Sequence, residues 1–114
     1  MYTLRVKQHF DAAHFLRGYE GDCARLHGHT WEVEIALQYD KLNELGMAID
    51  FKSVKQILKD ILPDHKCLNE VYTFNPTAEN LAKYLYEELK LDFDSHLQKV
   101  SIWESPGCCV EYHE

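Results

Sequence analysis

WEVEIALQY, from Trp31 to Tyr39, decides the fold, because Trp31, Val33, Ile35, Leu37 and Tyr39 alternate with Glu32, Glu34, Ala36 and Gln38. A period of two puts the apolar set on one side of an extended chain, so this is a strand with one face on a core. Upstream, Tyr2, Leu4, Val6 and Gln8 alternate with Thr3, Arg5, Lys7 and His9, which predicts a second half-buried strand over residues 2–9. A loop carrying Gly18, Gly21 and Gly28 connects the two. Downstream, a turn-rich stretch ends at Asp50, placed to cap a helix whose apolar positions are Val54, Ile57, Leu58 and Ile61. Pro63 stops it. Either Asn75 or Thr77 caps a second helix, with Ala78, Leu81, Ala82, Leu85 and Leu89 inward and Glu79, Lys83 and Glu87 outward. Val100 to Glu104 and Cys108 to Tyr112 read as two strands joined by the turn residues Ser105, Pro106 and Gly107.

The order ββααββ predicts one α+β domain over residues 1–114, a four-stranded antiparallel sheet with both helices on one face. Such a sheet has free edges and an uncovered face. Val, Ile, Trp and Tyr are plentiful enough to predict that this face is apolar and that the chain self-associates.

Composition narrows the function classes. With 12 Lys+Arg against 19 Asp+Glu, the 114 residues carry a formal charge of −7. Duplex binding needs a basic footprint, so nucleic acid is a poor partner. No apolar run reaches the length of a membrane span, and the start MYTLRVKQHF carries charge where a signal peptide needs an apolar core; the expectation is a soluble cytoplasmic protein. Cys108 and Cys109 are adjacent, a poor geometry for bonding each other, so the four cysteines read as reduced thiols. Seven histidines in so short a chain direct attention to metal and acid-base clusters.

His27 and His29 bracket Gly28 at the start of the second strand, and residues two apart on a strand share a face. Two imidazoles can then share one ion, and zinc takes such ligands, commonly three of them with a position left for water or substrate. Antiparallel pairing of the first two strands nominates His14 as the third. Cys23, four residues before His27, is open to three readings: a buried small residue, a fourth ligand closing a structural zinc site, or a reactive thiol acting as general base or acid. Asp64 and His65 form an adjacent pair in which a carboxylate can orient an imidazole. Glu104 ends an apolar strand, and its two oxygens suit a pair of parallel hydrogen bonds from an amidine-like ring edge.

Together these stretches carry a resemblance. FDAAH (10–14), CARLHGH (23–29), MAIDF (47–51), PDHKCLN (63–69), PTAEN (76–80) and WESP (103–106), in this order over nearly the whole chain, resemble the 6-pyruvoyl-tetrahydropterin synthase family. The three-residue gap between Cys23 and His27 is similar to the bacterial 6-carboxytetrahydropterin synthase branch, which serves queuosine precursor synthesis. The resemblance implies a tunnelling fold (T-fold), in which ββααββ subunits pair edges into a barrel, a homohexamer built as a dimer of trimers with active sites at subunit interfaces. It further implies zinc on His14, His27 and His29, Cys23 as catalytic thiol, Asp64 and His65 as its proton-transfer partners, and Glu104 as pterin anchor. Thr77 matches a threonine that helps hold the ring, while Ala78 replaces a second threonine found in some members. The implied substrate is 7,8-dihydroneopterin triphosphate, so Arg17, Arg25, Lys52 and Lys66, in or beside these motifs, are candidate phosphate contacts. Three other readings stand beside this one: a related pterin side-chain lyase, a structural zinc-binding module closed by Cys23, and a metal-free binding protein.

Overall fold

In the computed structural model, which describes residues 1–114, β1 (Tyr2–His14) and β2 (His27–Tyr39) form a long antiparallel pair, in register from Tyr2 opposite Tyr39 to His14 opposite His27. β1 runs five residues past the stretch predicted by strict alternation of large side chains. Its alternation continues through Phe10, Ala12 and His14, all buried, with Asp11 exposed between them. Alanine is depleted in strands, which hid this extension.

The chain continues through α1 (Phe51–Ile61), a two-residue β3 (Lys66–Cys67), the single turn α2 (Leu68–Val71), α3 (Ala78–Phe93), β4 (Leu97–Ser105) and β5 (Cys108–Tyr112). Asp50 caps α1 by accepting the Lys52 N–H at 2.9 Å. Leu62 is extended because Pro63 follows it. Of the two candidate caps for α3, Thr77 is the one used, its Oγ1 accepting the Asn80 N–H at 3.1 Å. Ala78, Leu81, Ala82, Leu85 and Leu89 are all buried, joined by Tyr86 and Phe93.

The sheet order is β3-β1-β2-β4-β5. The four long strands are antiparallel as expected; the difference is β3, which pairs parallel with β1 at Ala12 and Ala13 only. Even residues of β1 and odd residues of β2 face the helices, so Val6 lies opposite Ile35 and Phe10 opposite Trp31. Val100 and Ile102 of β4 extend the same apolar face.

The other face contradicts the expectation of an apolar surface. It carries Arg5 bonded to Glu34 at 2.7 Å, Lys7 to Glu32 at 3.2 Å and Lys99 to Glu111 at 2.7 Å. The Val and Ile counted in the composition sit by parity under the helices, and the open face is polar and cross-paired. The molecule is elongated, 53 × 26 × 25 Å, and no helix is long and apolar enough to cross a membrane.

Candidate active site

The helix-facing side of the sheet changes character over its last two rows. Phe10 and Trp31 form the last apolar row, Ala12 lies opposite His29 in the next, and His14 lies opposite His27 in the last. The register thus brings three imidazoles from two strands together, and their ligand atoms lie within 4.8 Å of one another. His14 is fully buried and His29 half-buried.

Backbone carbonyls fix two of the rings. His14 Nδ1–H donates to Pro76 O at 2.8 Å and His27 Nδ1–H donates to Arg25 O at 2.7 Å. A carbonyl only accepts, so the proton of each neutral ring sits on Nδ1 and the lone pair on Nε2. Burial pushes His14 and His29 below the ordinary histidine value, partly offset for His14 by the Pro76 carbonyl and for both by Glu104. Both rings therefore present uncharged nitrogens at neutral pH.

His14 Nε2 and His29 Nε2 are buried without a hydrogen-bond partner. Orphaned buried nitrogens are rare in folded proteins, and two converging on one point fit a cation as the missing partner. Three imidazoles suit zinc among the divalent ions, with Nδ1–H to carbonyl contacts as the usual outer support. Glu104 completes the surroundings: its carboxylate lies 3.8 Å from His14 Nε2 and 3.6 Å from His29 Nε2, beyond hydrogen-bond distance. It continues the inward alternation of Val100 and Ile102, at the irregularity in the β4–β5 ladder between Trp103 and Ser105. Such irregularities re-aim a side chain.

Cys23 sits in a short 3₁₀ turn, Asp22–Ala24, half-buried. Its carbonyl accepts the Leu16 N–H at 2.8 Å, which ties this turn to the chain just beyond His14. It is not among the clustered ligand atoms, which close on the three histidines alone.

Asp64 and His65 stand elsewhere. Asp64 Oδ2 lies 3.0 Å from His65 Nδ1, the carboxylate–imidazole contact expected of an oriented pair, but both side chains are exposed. The pair is locked to the free edge of β1: Asp11 N–H donates to Asp64 Oδ1 at 2.9 Å, and His65 N–H donates to Asp11 O at 2.6 Å. His65 adopts φ +57°, a left-handed conformation that costs a non-glycine residue about 1 kcal/mol or more and persists only where its surroundings hold it. The Asp11 N–H, and then His65, hold the Asp64 carboxyl below the ordinary aspartate value. His65 and Lys66 line an open cavity of about 610 Å³ with Asp11, Thr30 and Cys67. Ala13, Gly28 and Thr30, of the outward parity of β1 and β2, line it as well, but so do Ala12 and His29, so the cavity beside His65 also reaches one residue of the imidazole cluster.

The loops around the cluster rest on residues to which the sequence assigned other roles or none. Asn69 and Asn75 each exchange hydrogen bonds with backbone, at Phe15 and Arg17 respectively. Arg17, a candidate phosphate contact by its place in the chain, donates its guanidinium to the carbonyls of Thr73, Phe74 and Asn69 at 3.3, 2.9 and 3.2 Å. It is a clamp on the segment leading to Pro76. Asp11 was legible only as part of a motif. Thr77 is committed as acceptor to the α3 cap, and Ala78 is buried beneath it.

Comparison with known proteins bears on the family and the fold. The family model for 6-pyruvoyl tetrahydropterin synthase matches residues 3–114. A 6-carboxy-5,6,7,8-tetrahydropterin synthase of Haemophilus influenzae is 28% identical over the whole of both chains, and one of Rickettsia bellii is 33% identical over 96% of each. Among solved structures, the Caenorhabditis elegans 6-pyruvoyl tetrahydropterin synthase superposes with a TM-score of 0.87 at 28% identity, covering 99% of this chain and 95% of its own. Matched by fold along its full length and by family model from residue 3 onward, the chain belongs to the 6-pyruvoyl tetrahydropterin synthase family.

Proposed function

We propose that this chain is a zinc-dependent 6-carboxy-5,6,7,8-tetrahydropterin synthase of queuosine precursor synthesis, a cytoplasmic lyase. It converts 7,8-dihydroneopterin triphosphate, with water, to 6-carboxytetrahydropterin, acetaldehyde and triphosphate. The observation that carries this reading is the convergence of His14, His27 and His29 with two buried Nε2 atoms lacking any partner. Relatives bearing that enzyme name over the full chain support the choice of reaction.

His14, His27 and His29 would hold the zinc, which when bound would supply Lewis acidity that makes C–H bonds of the substrate side chain more acidic. Cys23 removes a proton from the substrate side chain as the general base, a role open to it because its thiol is not among the clustered ligand atoms. His65, oriented by Asp64, returns and accepts protons as the side chain is cleaved. Each such group contributes about 10²- to 10⁴-fold. Glu104 receives the ring: its two oxygens accept parallel N–H bonds from the pterin edge. Because Thr77 Oγ1 already accepts the Asn80 N–H, its contribution to the ring is its hydroxyl proton. Lys66, exposed beside His65 in the same cavity and in no ion pair, is the phosphate contact retained, whereas Arg17 is spent on carbonyls. Nothing in the structure commits Arg25 or Lys52 to this role.

The working form is a homo-oligomer, a dimer of trimers, in which the Asp64–His65 pair of one copy serves the imidazole cluster of another. Two observations support it. Within one chain the exposed Asp64–His65 pair forms a group separate from the imidazole cluster, and the β1 edge from Tyr2 to His9 has no strand partner. Mixing inactive His14→Ala and His65→Ala chains should restore turnover by placing intact halves in one site; no recovery from a mixed oligomer contradicts the shared site. Cys23→Ala should abolish turnover with zinc content intact. Loss of zinc in that variant would instead favour the structural module closed by Cys23.

A further inference from the structure

Trp31 is fully buried, and it meets the imidazole cluster from the core side. Its ring lies 5.0 Å from the His14 ring at 80° and 5.5 Å from the His29 ring at 83°. Both imidazoles therefore stand edge-on against one indole. Beside it in the same row Phe10 stacks at 5.9 Å and 7°, so the wall is two rings wide. The indole Nε1–H donates to Ala12 O at 3.2 Å, and Ala12 is the residue opposite His29 and two before His14.

Carbonyls restrain the rings of His14 and His27 through Nδ1, but no such bond is made by His29. Its ring direction is set by packing. An indole perpendicular to it blocks rotation about its side-chain torsions, and the N–H to Ala12 holds β1 and β2 together at the level where the ligands leave the sheet. We propose that Trp31 is the positioning residue of the metal centre: it aims the His29 and His14 nitrogens at a common point and sets the affinity and coordination geometry of the ion. This rests on the metal reading given above.

The test uses the full chain and the metal alone. Outer supports of metal ligands typically govern affinity by 10- to 100-fold. Trp31→Phe, which keeps an aromatic ring but loses the N–H and the second ring of the indole, should weaken zinc binding at least about tenfold in chelator competition. It should also alter the visible absorption of the cobalt(II) form. Trp103→Phe, on the outward face under Lys7 at 4.5 Å, should leave both unchanged. Melting of the metal-free forms checks that each variant is folded at the assay temperature. A folded Trp31→Phe variant with wild-type zinc affinity and an unchanged cobalt spectrum overturns the proposal. In the Trp103→Phe background Trp31 is the remaining tryptophan, and cobalt(II) should quench its fluorescence strongly as the site fills; cobalt binding without quenching overturns the proposal even if Trp31→Phe does not fold. Failure of the unaltered chain to bind either ion removes the metal centre itself, a result separable from the other two.

Discussion

Replacing Arg17 by methionine removes a clamp while leaving the aliphatic stem in place. Its guanidinium donates to the carbonyls of Thr73, Phe74 and Asn69. Exposed hydrogen bonds of this kind contribute about 0.5 to 1 kcal/mol each, so the three together are worth about 2 kcal/mol. Unfolding entropy of about 2.1 cal/mol/K per residue gives about 0.24 kcal/mol/K for a chain of 114 residues, and the loss corresponds to a fall in Tm of about 8 °C. Calorimetry of the metal-free protein measures it. Because the clamped segment runs into Pro76, whose carbonyl orients His14, zinc affinity should fall as well. An unchanged Tm and zinc affinity, with KM raised for a phosphorylated substrate, would refute the clamp and return Arg17 to the role of an anion ligand.

Three further outcomes follow from the same structure. His14→Ala should abolish stoichiometric zinc binding, measured by metal analysis after gel filtration; a full zinc complement would show that the cluster is not the site. Asp94 ends α3 at φ +50° and ψ −132°, a conformation natural to glycine, so Asp94→Gly should raise stability by about 1 kcal/mol, read as a Tm rise of about 4 °C. Asp64 is held below its ordinary pKa, chiefly by the Asp11 N–H, so its stabilising contribution is present above the unfolded aspartate value and is lost as the pH falls through the folded one. Urea melts should therefore show the gap between wild type and Asp64→Asn closing as the pH drops from about 6 to about 2, and a gap that does not depend on pH would contradict it.

Most of the scaffold was legible because alternation and caps are local signals. Trp31 to Tyr39 reads as a strand from its own side chains, and Asp50 and Pro63 bracket α1 without reference to the rest of the molecule. The imidazole cluster was legible too, since antiparallel pairing places His14 near an HxH pair at a strand start. What escaped depends on backbone or on distant partners. β3 is two residues long and has no period to detect. The partners of Arg17 are carbonyls, which leave no trace in residue type. The polar face was misjudged because apolar residues were counted over the whole chain. Taken by parity, Arg5, Lys7, Glu32, Glu34, Lys99 and Glu111 share that face, and their pairing across strands is what satisfies it. The placement of Asp64 and His65 away from the cluster could not be read from spacing, because it is set by two bonds to the Asp11 backbone.

The most direct test of the central claim is product analysis. The zinc-loaded protein, incubated with 7,8-dihydroneopterin triphosphate, should yield 6-carboxy-5,6,7,8-tetrahydropterin, acetaldehyde and triphosphate by mass spectrometry, with none formed by the Cys23→Ala protein. Accumulation of a pyruvoyl pterin, or of an aldehyde from simple side-chain cleavage, would assign a different reaction to the same site. Unchanged substrate in the presence of bound zinc would contradict the enzymatic reading altogether.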